Sequence, residues 1–181
     1  MASVDTSSDD ELVAASLGGD DAAYAELVRR HKPRVCGVIV HLARDRADVD
    51  DLAQEVFVQA YFKLHQFRRE AVFEHWLLRI ATFKCYDYLR KRQRQGSSVP
   101  MEVLAESGHE PAAPAAPTPH PQLERLYAAL ARLSPAEQLV ITLLELQDRT
   151  LQEISDHTGW SVGNVKVRAF RAREALRKLL L

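Results

Sequence analysis

The sequence is poor in the residues that build disulfide frameworks, metal sites and membrane spans. Only two cysteines occur, Cys36 and Cys85, with no CxxC pair and no histidine at metal-ligand spacing. We therefore expect neither a disulfide nor a bound metal or cofactor, and both thiols should be buried small side chains. No apolar run approaches the length of a membrane span and the N-terminus is acidic. These features predict a soluble, cytoplasmic protein without membrane insertion.

Signatures of catalysis are missing as well. The sequence has no phosphate-binding glycine loop, no recognisable nucleophile–base pair and no metal constellation. We therefore expect no enzymatic activity of its own, and function must come from binding.

Proline is concentrated in one stretch. Residues 96 to 121 hold six of the eight prolines and neither Lys nor Arg, a composition typical of an extended or disordered linker. Strand signals are nearly absent on either side, and apolar residues recur at helical spacing. The sequence thus predicts an all-α protein in which residues 1 to 95 and 122 to 181 form two small helical domains joined by this linker.

The net charge of −1 conceals an uneven distribution of charge. Acids cluster within the first 55 residues, whereas bases cluster in "RKRQR", residues 90 to 94. An acidic surface suits a basic protein partner, and a basic surface suits a phosphate backbone. Two surfaces of opposite sign are predicted.

Residues 48 to 66 have the spacing of an amphipathic helix with a complete core stripe. The stripe consists of Val49, Leu52, Ala53, Val56, Phe57, Ala60, Tyr61 and Leu64. The other side mixes charged, amide and apolar side chains, namely Asp51, Gln54, Glu55, Val58 and Phe62. Such a mixture is typical of a docking surface for another protein, although scattered exposed apolar residues also occur on monomers.

Residues 72 to 94 form a second helical pattern with two faces. Phe73, Leu77, Ile80, Ala81 and Tyr88 share one face, and Trp76, Arg79, Phe83, Tyr86, Arg90 and Arg94 share the other. Aromatic rings interleaved with cations are what single-stranded nucleic acid binds, because rings stack on unpaired bases and cations follow the backbone. The alternative is that Trp76 and Tyr86 belong to the core and that Arg90 to Arg94 are a solvated helix end.

The C-terminal region has the pattern helix, turn, basic helix. Thr150 and Glu153 have capping-box spacing, Gly159 suits a tight turn, and Ser161 is a plausible N-cap. Beyond it, cations flank an apolar stripe. The stripe consists of Val162, Val165, Ala169, Ala172, Leu176 and Leu179. The pattern predicts a helix-turn-helix whose second helix, from residue 161 to about 174, enters a major groove. A plain helical hairpin with a solvated basic face is the alternative.

Together these motifs resemble the extracytoplasmic-function (ECF, group IV) sigma factors of the sigma-70 family of bacterial RNA polymerase. "DVDDLAQEVFVQAY" is similar to region 2.2, and "FRREAVFEHWLLRIATFKCYDYLRKRQR" is similar to regions 2.3 and 2.4. The sequence from "LARLSPAEQ" to "EALRKLL" resembles region 4. The resemblance implies a sigma-2 domain, a linker and a sigma-4 domain, in that order.

The resemblance also implies partners. The sigma-2 domain would dock on the clamp coiled coil of the polymerase beta-prime subunit through Asp48, Asp51, Gln54, Glu55, Val58 and Phe62. The beta flap, promoter DNA and an anti-sigma factor are further implied partners.

The implied DNA contacts fall in two groups. The loop near residues 67 to 72 and the following helix would capture an unpaired minus-ten base, and the implied residues are Arg68, Arg69, Trp76, Arg79, Phe83, Lys84, Tyr86, Arg90, Lys91 and Arg94. The minus-thirty-five element would be contacted by Ser161, Asn164, Lys166, Val167, Arg168, Phe170, Arg171 and Arg173. Phe83 and Lys84 stand where many members have an Asn-containing "RIATN" stretch, so unusual minus-ten recognition is expected.

Two other classes of protein fit parts of this pattern. A stand-alone helix-turn-helix regulator would bind duplex DNA, but it has no use for an acidic docking helix beside an aromatic and basic face. An interaction-only adaptor would show no salt-dependent DNA binding. We therefore expect an alternative sigma factor that recognises and melts promoter DNA with core polymerase.

Overall fold

The computed structural model describes residues 7–43, 45–96 and 121–181. Within these ranges the regular secondary structure is entirely helical, which confirms the predicted all-α class. The α-helices are α1 (Asp9–Leu17), α2 (Asp21–Ile39), α3 (Arg46–Lys63), α4 (Phe73–Gly96), α5 (Pro121–Leu130), α6 (Pro135–Glu145), α7 (Leu151–Thr158) and α8 (Val162–Leu180). A 3₁₀ turn, Leu64–Gln66, follows α3. Apart from its two end residues, the predicted linker lies outside the described residues.

Local sequence determines where several helices start. Three helices begin with a capping box, in which a hydroxyl and a glutamate three residues later satisfy each other's backbone amides. The pairs are Ser8 with Glu11, Ser134 with Glu137, and Thr150 with Glu153. Hydrogen bonds from the cap residue also hold the pKa of Glu11 and of Glu153 below the usual glutamate value. The capping box predicted at Thr150 and Glu153 is confirmed.

Three details of the sequence prediction are wrong. The helix predicted over residues 48 to 66 starts earlier, because Asp45 caps it, and its last turn tightens into the 3₁₀ turn. Tyr61 is not part of the buried stripe: it is 44 % exposed and packs edge-on against Tyr24. Gly96 and Pro121 belong to α4 and α5, since proline is well tolerated in the first turn of a helix.

The two helical halves pack against each other, which the sequence did not predict. Within the first half α2 contacts α1, α3 and α4, and within the second α8 contacts α5, α6 and α7. Between the halves, α4 contacts both α6 and α7. Val140, Leu143 and Ile154 of the second half lie in the same buried apolar cluster as the core of the first. This packing brings α7 and the start of α8 close to the aromatic and basic face of α4.

Candidate protein and nucleic-acid interfaces

One side of α3 presents an exposed surface of mixed character. Asp51, Gln54 and Glu55 are exposed, and beside them Val58 and Phe62 are 48 % and 71 % exposed. All five line one shallow depression. Apolar side chains this exposed among acids and amides are typical of a surface that binds another protein.

Asp48 lies at the edge of this docking surface, on the side that faces α4. Its Oδ2 accepts a hydrogen bond of 2.6 Å from the Tyr88 hydroxyl, so the half-buried carboxylate faces α4. Burial, followed by that contact with Asp48, raises the pKa of Tyr88 to about 12. The structure therefore brings together five of the six predicted docking residues and uses the sixth to join α3 to α4.

One face of α4 alternates cations and rings in the predicted order, and of its rings Phe83 is exposed while Tyr86 is half-buried against the core and packs edge-on on Trp160. The Arg79 guanidinium lies 5.9 Å from the centre of the Phe83 ring, and the Arg90 guanidinium lies 5.7 Å from the centre of the Tyr86 ring. Each pair is four residues apart, so each cation lies over a ring one turn away. Arg94 continues the same side of the helix by one more turn. The resulting row combines cations and aromatic rings on one face of the helix.

Lys84 and Lys91, predicted with this group, lie towards α3 instead. The Lys84 ammonium donates to Glu55 Oε2 at 2.9 Å, at the edge of the docking surface. Lys91 lines a depression between the two helices, together with Asp48 and Asp51. The two lysines thus lie on the side of α4 that faces α3, beside the aromatic row and not in it.

The loop between the 3₁₀ turn and α4 is anchored by aromatic packing. Trp76 is half-buried, with its ring centre 5.4 Å from that of Phe67 and 5.7 Å from that of Phe73. Arg68 and Arg69 are exposed, and Arg69 has the unusual φ of 58° while its Nη2 donates to the Asp10 carbonyl oxygen at 3.4 Å. Trp76 therefore contributes both to the core and to the aromatic and basic face of α4. Arg68 and Arg69 lie in the preceding loop and are exposed.

The first half of α8 presents a basic face with exposed apolar side chains. Ser161 caps the helix by accepting a hydrogen bond from the Asn164 amide. Lys166 and Arg171 are exposed, and Val167 and Phe170 are 50 % and 65 % exposed. Cations can contact base edges or phosphates, and apolar side chains can contact the thymine methyl group. The geometry fits a helix that lies in a major groove.

Two further cations of α8 are held by protein partners. The Arg168 guanidinium lies 4.4 Å from the centre of the Trp160 ring, and its Nε donates to Asn164 Oδ1. Arg173 donates to Glu145 Oε1 from Nε at 3.0 Å and from Nη2 at 2.6 Å. Both side chains are therefore oriented before any DNA binds.

Sequence reasoning missed Trp160 and Glu145, the groups that orient these two arginines. An aromatic residue directly after the turn glycine and before the helix cap was the only available signal for Trp160. Glu145 gave no signal, because its pairing with Arg173 depends on how α6 packs against α8.

Comparison with known proteins assigns both halves of the chain. The family model for Sigma-70 region 2 matches residues 27–95, and the model for Sigma-70, region 4 matches residues 123–176. The ECF RNA polymerase sigma-E factor of Haemophilus influenzae is 33 % identical over 93 % of this chain and 93 % of its own length. The RNA polymerase sigma-H factor of Pseudomonas aeruginosa is 31 % identical over 95 % of this chain and 93 % of its own. The fold and these matches define a sigma factor of bacterial RNA polymerase.

A solved structure has the same architecture over almost the whole chain. CnrH, in a complex with the cytosolic domain of CnrY, matches with a TM-score of 0.63 and 27 % identity and covers 95 % of this chain and 96 % of its own. The chain belongs to the extracytoplasmic-function sigma factors of the sigma-70 family. It is an alternative sigma factor for transcription initiation and not a stand-alone regulator.

No helix among those described is long and apolar enough to cross a membrane. In the same ranges, no group of three histidine, cysteine, aspartate or glutamate side chains is arranged to hold a metal ion.

Proposed function

We propose that three surfaces divide the work of promoter recognition. The exposed side of α3 docks on core polymerase, the aromatic and basic face of α4 binds the unpaired minus-ten strand, and the first half of α8 binds the minus-thirty-five duplex. The observation that supports this division is that each surface combines exposed apolar side chains with a characteristic charge. The accompanying charge is mainly acidic on α3 and basic on α4 and α8. In this proposal residues 1 to 95 and 122 to 181 are the sigma-2 and sigma-4 domains and residues 96 to 121 join them.

Docking by α3 requires a partner with complementary chemistry. Asp51 and Glu55 attract a basic helix, and Val58 and Phe62 supply the apolar area that desolvates the contact. A clamp coiled coil with basic residues has that chemistry. Lys84, which pairs with Glu55, adds a positive charge to the edge of this acidic surface. Acidic side chains of the partner can therefore also bind at this edge.

Capture of the minus-ten strand requires stacking surface and cations on one face. Phe83 is 44 % exposed between Arg79 and Arg90, so an unpaired base can stack on the ring while the guanidinium groups contact phosphates. A phenylalanine offers stacking without a hydrogen-bonding group. Phe83 therefore binds a base by shape rather than by the pattern of donors and acceptors on its edge.

An inhibitory protein partner follows from the same surfaces. The docking side of α3 and the reading face of α8 both expose apolar side chains, and a regulator that covers them would keep the protein off. The structural relative CnrH is itself bound to the cytosolic domain of another protein, CnrY. We further place the protein in the cytoplasm, where it acts by binding and without catalytic activity of its own.

The test is run-off transcription with core polymerase and a panel of promoters, comparing the parent with Asp51→Lys. The parent should direct transcripts from some templates that core polymerase alone does not transcribe. Asp51→Lys should abolish them and weaken core binding in a pull-down, because a lysine would face a basic partner, while the fold is kept at this exposed position.

The matched control is Asp21→Lys, the same charge reversal at an exposed position of α2 outside the docking surface. It should transcribe like the parent. Equal core binding by Asp51→Lys and the parent would show that α3 is not the docking surface. Absence of transcripts from every template, together with tight binding to duplex DNA alone, would contradict the proposal as a whole.

A further inference from the structure

The loop of residues 67 to 72, which leads into α4 and is called the capture loop below, has a backbone conformation that its own sequence does not favour. Arg69 has a φ of 58°, which lies in the left-handed region that a residue with a side chain disfavours. Such a conformation persists only where the surrounding structure holds it. The capture loop contains no glycine, so its conformation must be maintained by contacts with the rest of the protein.

One such contact joins the capture loop to α1. Arg69 donates from Nη2 to the carbonyl oxygen of Asp10 at 3.4 Å, and Asp10 lies in the first turn of α1. Arg68, the residue before Arg69, instead lines a cavity together with Trp76 and Arg79 of α4. The two neighbouring arginines therefore have different surroundings: Arg69 is turned onto α1, and Arg68 lies beside the aromatic and basic face of α4.

The first turn of α1 is itself held in place by α2. Asp9 Oδ2 lies 2.7 Å from His31 Nε2, and Asp9 Oδ1 accepts from Arg30 Nη1 at 3.4 Å. The same Arg30 nitrogen donates to the carbonyl oxygen of Ser7 at 2.6 Å. His31 is only 6 % exposed, so salt and water screen its contact with Asp9 less than they screen a surface pair. The start of α1 is therefore a fixed point from which Arg69 can be held.

The His31 side chain also supports the end of the capture loop that enters α4. Its ring packs edge-on against Phe73, with ring centres 5.2 Å apart, and its Nδ1 lies 4.0 Å from Glu74 Oε2. Phe73 is the first residue of α4 and packs in turn against Phe67, at the other end of the capture loop, with ring centres 5.6 Å apart. One buried imidazole thus links the first turn of α1 to the aromatic pair that closes the capture loop.

We propose that Asp9, His31 and Arg69 are positioning residues for minus-ten recognition, through which α1 holds the capture loop in the conformation that reads the captured base. The inference rests on the proposed function of the α4 face and extends it to α1. Unpaired bases are read by hydrogen bonds to their edges, and each residue of this loop offers one backbone amide and one carbonyl. The φ of Arg69 sets the direction of these groups, so base preference depends on it. Arg69 itself then contacts no phosphate.

The test compares Asp9→Ala with the matched control Asp10→Ala in holoenzyme assembled from core polymerase and the full chain. The template is a promoter that the parent transcribes, mismatched across the minus-ten element so that melting does not contribute, with each base in turn at each position of the unpaired strand. Asp9→Ala should lower the ratio of affinities for preferred and other bases about fivefold. Asp10→Ala should keep the parental ratio, because the Asp10 contact with Arg69 is made by its backbone carbonyl. Both variants remove one acid from the first turn of α1, so a difference between them cannot come from charge.

Salt titrations of the same binding reaction separate positioning from direct contact. Arg69→Ala should lower the ratio of affinities as Asp9→Ala does, yet leave the salt dependence of binding as in the parent, because a guanidinium held on α1 neutralises no phosphate. Arg68→Ala should do the opposite, lowering the salt dependence by roughly one phosphate contact and keeping the ratio. A loss of stability alone would change neither the ratio nor the salt dependence.

The outcomes distinguish this inference from the proposed function. A parental ratio in Asp9→Ala or in Arg69→Ala would overturn the positioning role and leave the assignment of the α4 face intact. A lowered salt dependence in Arg69→Ala with a parental ratio would show instead that Arg69 binds a phosphate. A parent holoenzyme that binds all four bases equally at every minus-ten position would overturn the proposed function and this inference together. Far-UV circular dichroism should show parental helix content for all variants, and Arg69→Ala decides if Asp9→Ala does not fold.

Discussion

Arg171 and Arg173 of α8 differ in what they already contact. Arg171 is exposed on the side of the helix that carries Val167 and Phe170. Arg173 is held by two hydrogen bonds to Glu145, so its guanidinium is shared between protein and any phosphate nearby. Replacing each arginine should therefore weaken DNA binding in a different way.

Arg171→Ala should cost about 1 to 3 kcal/mol of binding and relax the preference at one position of the minus-thirty-five element, because a directional contact to a base is lost. Arg173→Ala should weaken binding to all sequences alike and lower the salt dependence by roughly one phosphate contact. The measurement is transcription from a cognate promoter and its single-base variants, with salt titrations of DNA binding. Parental behaviour of both variants on every template would mean that the basic face of α8 is only solvated.

We expect the side chain of His157 to make stability depend on pH. Burial, then the nearby Arg149 and His75, lowers the pKa of His157 below its ordinary value of 6.5. As pH falls through about 6.5, the unfolded chain takes up a proton that the folded chain does not, so the free energy of unfolding decreases. The melting temperature should therefore decline between about pH 7 and pH 5.

His157→Gln should make that decline shallower, and the matched control His65→Gln, at an exposed position, should leave it as in the parent. Thermal melts across the pH range give the comparison. Parallel curves for His157→Gln and the parent would show that His157 is not the responsible group.

At the scale of elements, the turn between α7 and α8 depends on one backbone conformation. Gly159 ends α7 with a φ of 73°, the left-handed region that side chains disfavour, and a Cβ there would meet no atom within 4 Å. Gly159→Ala should therefore destabilise the fold by about 1 to 2 kcal/mol through the backbone alone.

Gly163→Ala provides the matched control in the same region. Gly163 lies in the first turn of α8 and likewise has open space around a Cβ, but no positive φ. Alanine there should stabilise the helix by up to about 1 kcal/mol. Chemical denaturation of both variants measures the difference in the free energy of unfolding. A Gly159→Ala variant as stable as Gly163→Ala would contradict the assigned role of the turn.

The elements were largely predictable from the sequence because their signals are local. Capping boxes join residues three apart, and the glycine of the turn acts through its own φ, so Thr150, Glu153 and Gly159 could be assigned without a structure. Pro33 shows the limit of such signals. It lies inside α2, where proline ordinarily breaks a helix, yet the helix continues while His31 and Val35 on either side are buried. Tertiary packing overrides the local preference there.

At the scale of the whole molecule, the contact between the halves could not be predicted. Tyr86 and Trp160 pack edge-on against each other but are far apart in the sequence. No local pattern around either residue indicates its partner. Their pairing depends on the relative position of whole helices. So do the hydrogen bonds that Gln147 Nε2 donates to the carbonyl oxygens of Gly37 and Val38 at the end of α2. The same holds for the candidate sites: the surfaces of α3, α4 and α8 follow from periodicity, but Asp48, Lys84 and Lys91 face neighbours that periodicity does not reveal.

Shared burial between the halves should make the free protein unfold as a unit. Ile154 of α7 is fully buried in the cluster that contains the core of α1 to α4. Calorimetry of the parent should show one heat-absorption peak whose calorimetric and van't Hoff enthalpies agree.

Ile154→Ala should shift that peak to lower temperature without dividing it, at a cost of about 2 to 5 kcal/mol. The appearance of two peaks, with one at the parental temperature, would show that the halves unfold independently.

The contact of α4 with α7 also has a consequence for protein synthesis. A ribosome completes α4 well before it reaches Leu151, and translation at roughly 5 to 20 residues per second separates the two events by several seconds. During that interval the nascent chain already contains the aromatic and basic face of α4, and the α7 helix that contacts α4 has not been made. Every newly translated molecule therefore begins with this face of α4 free of its contact with α7, and that contact forms only after the second half of the chain has been made.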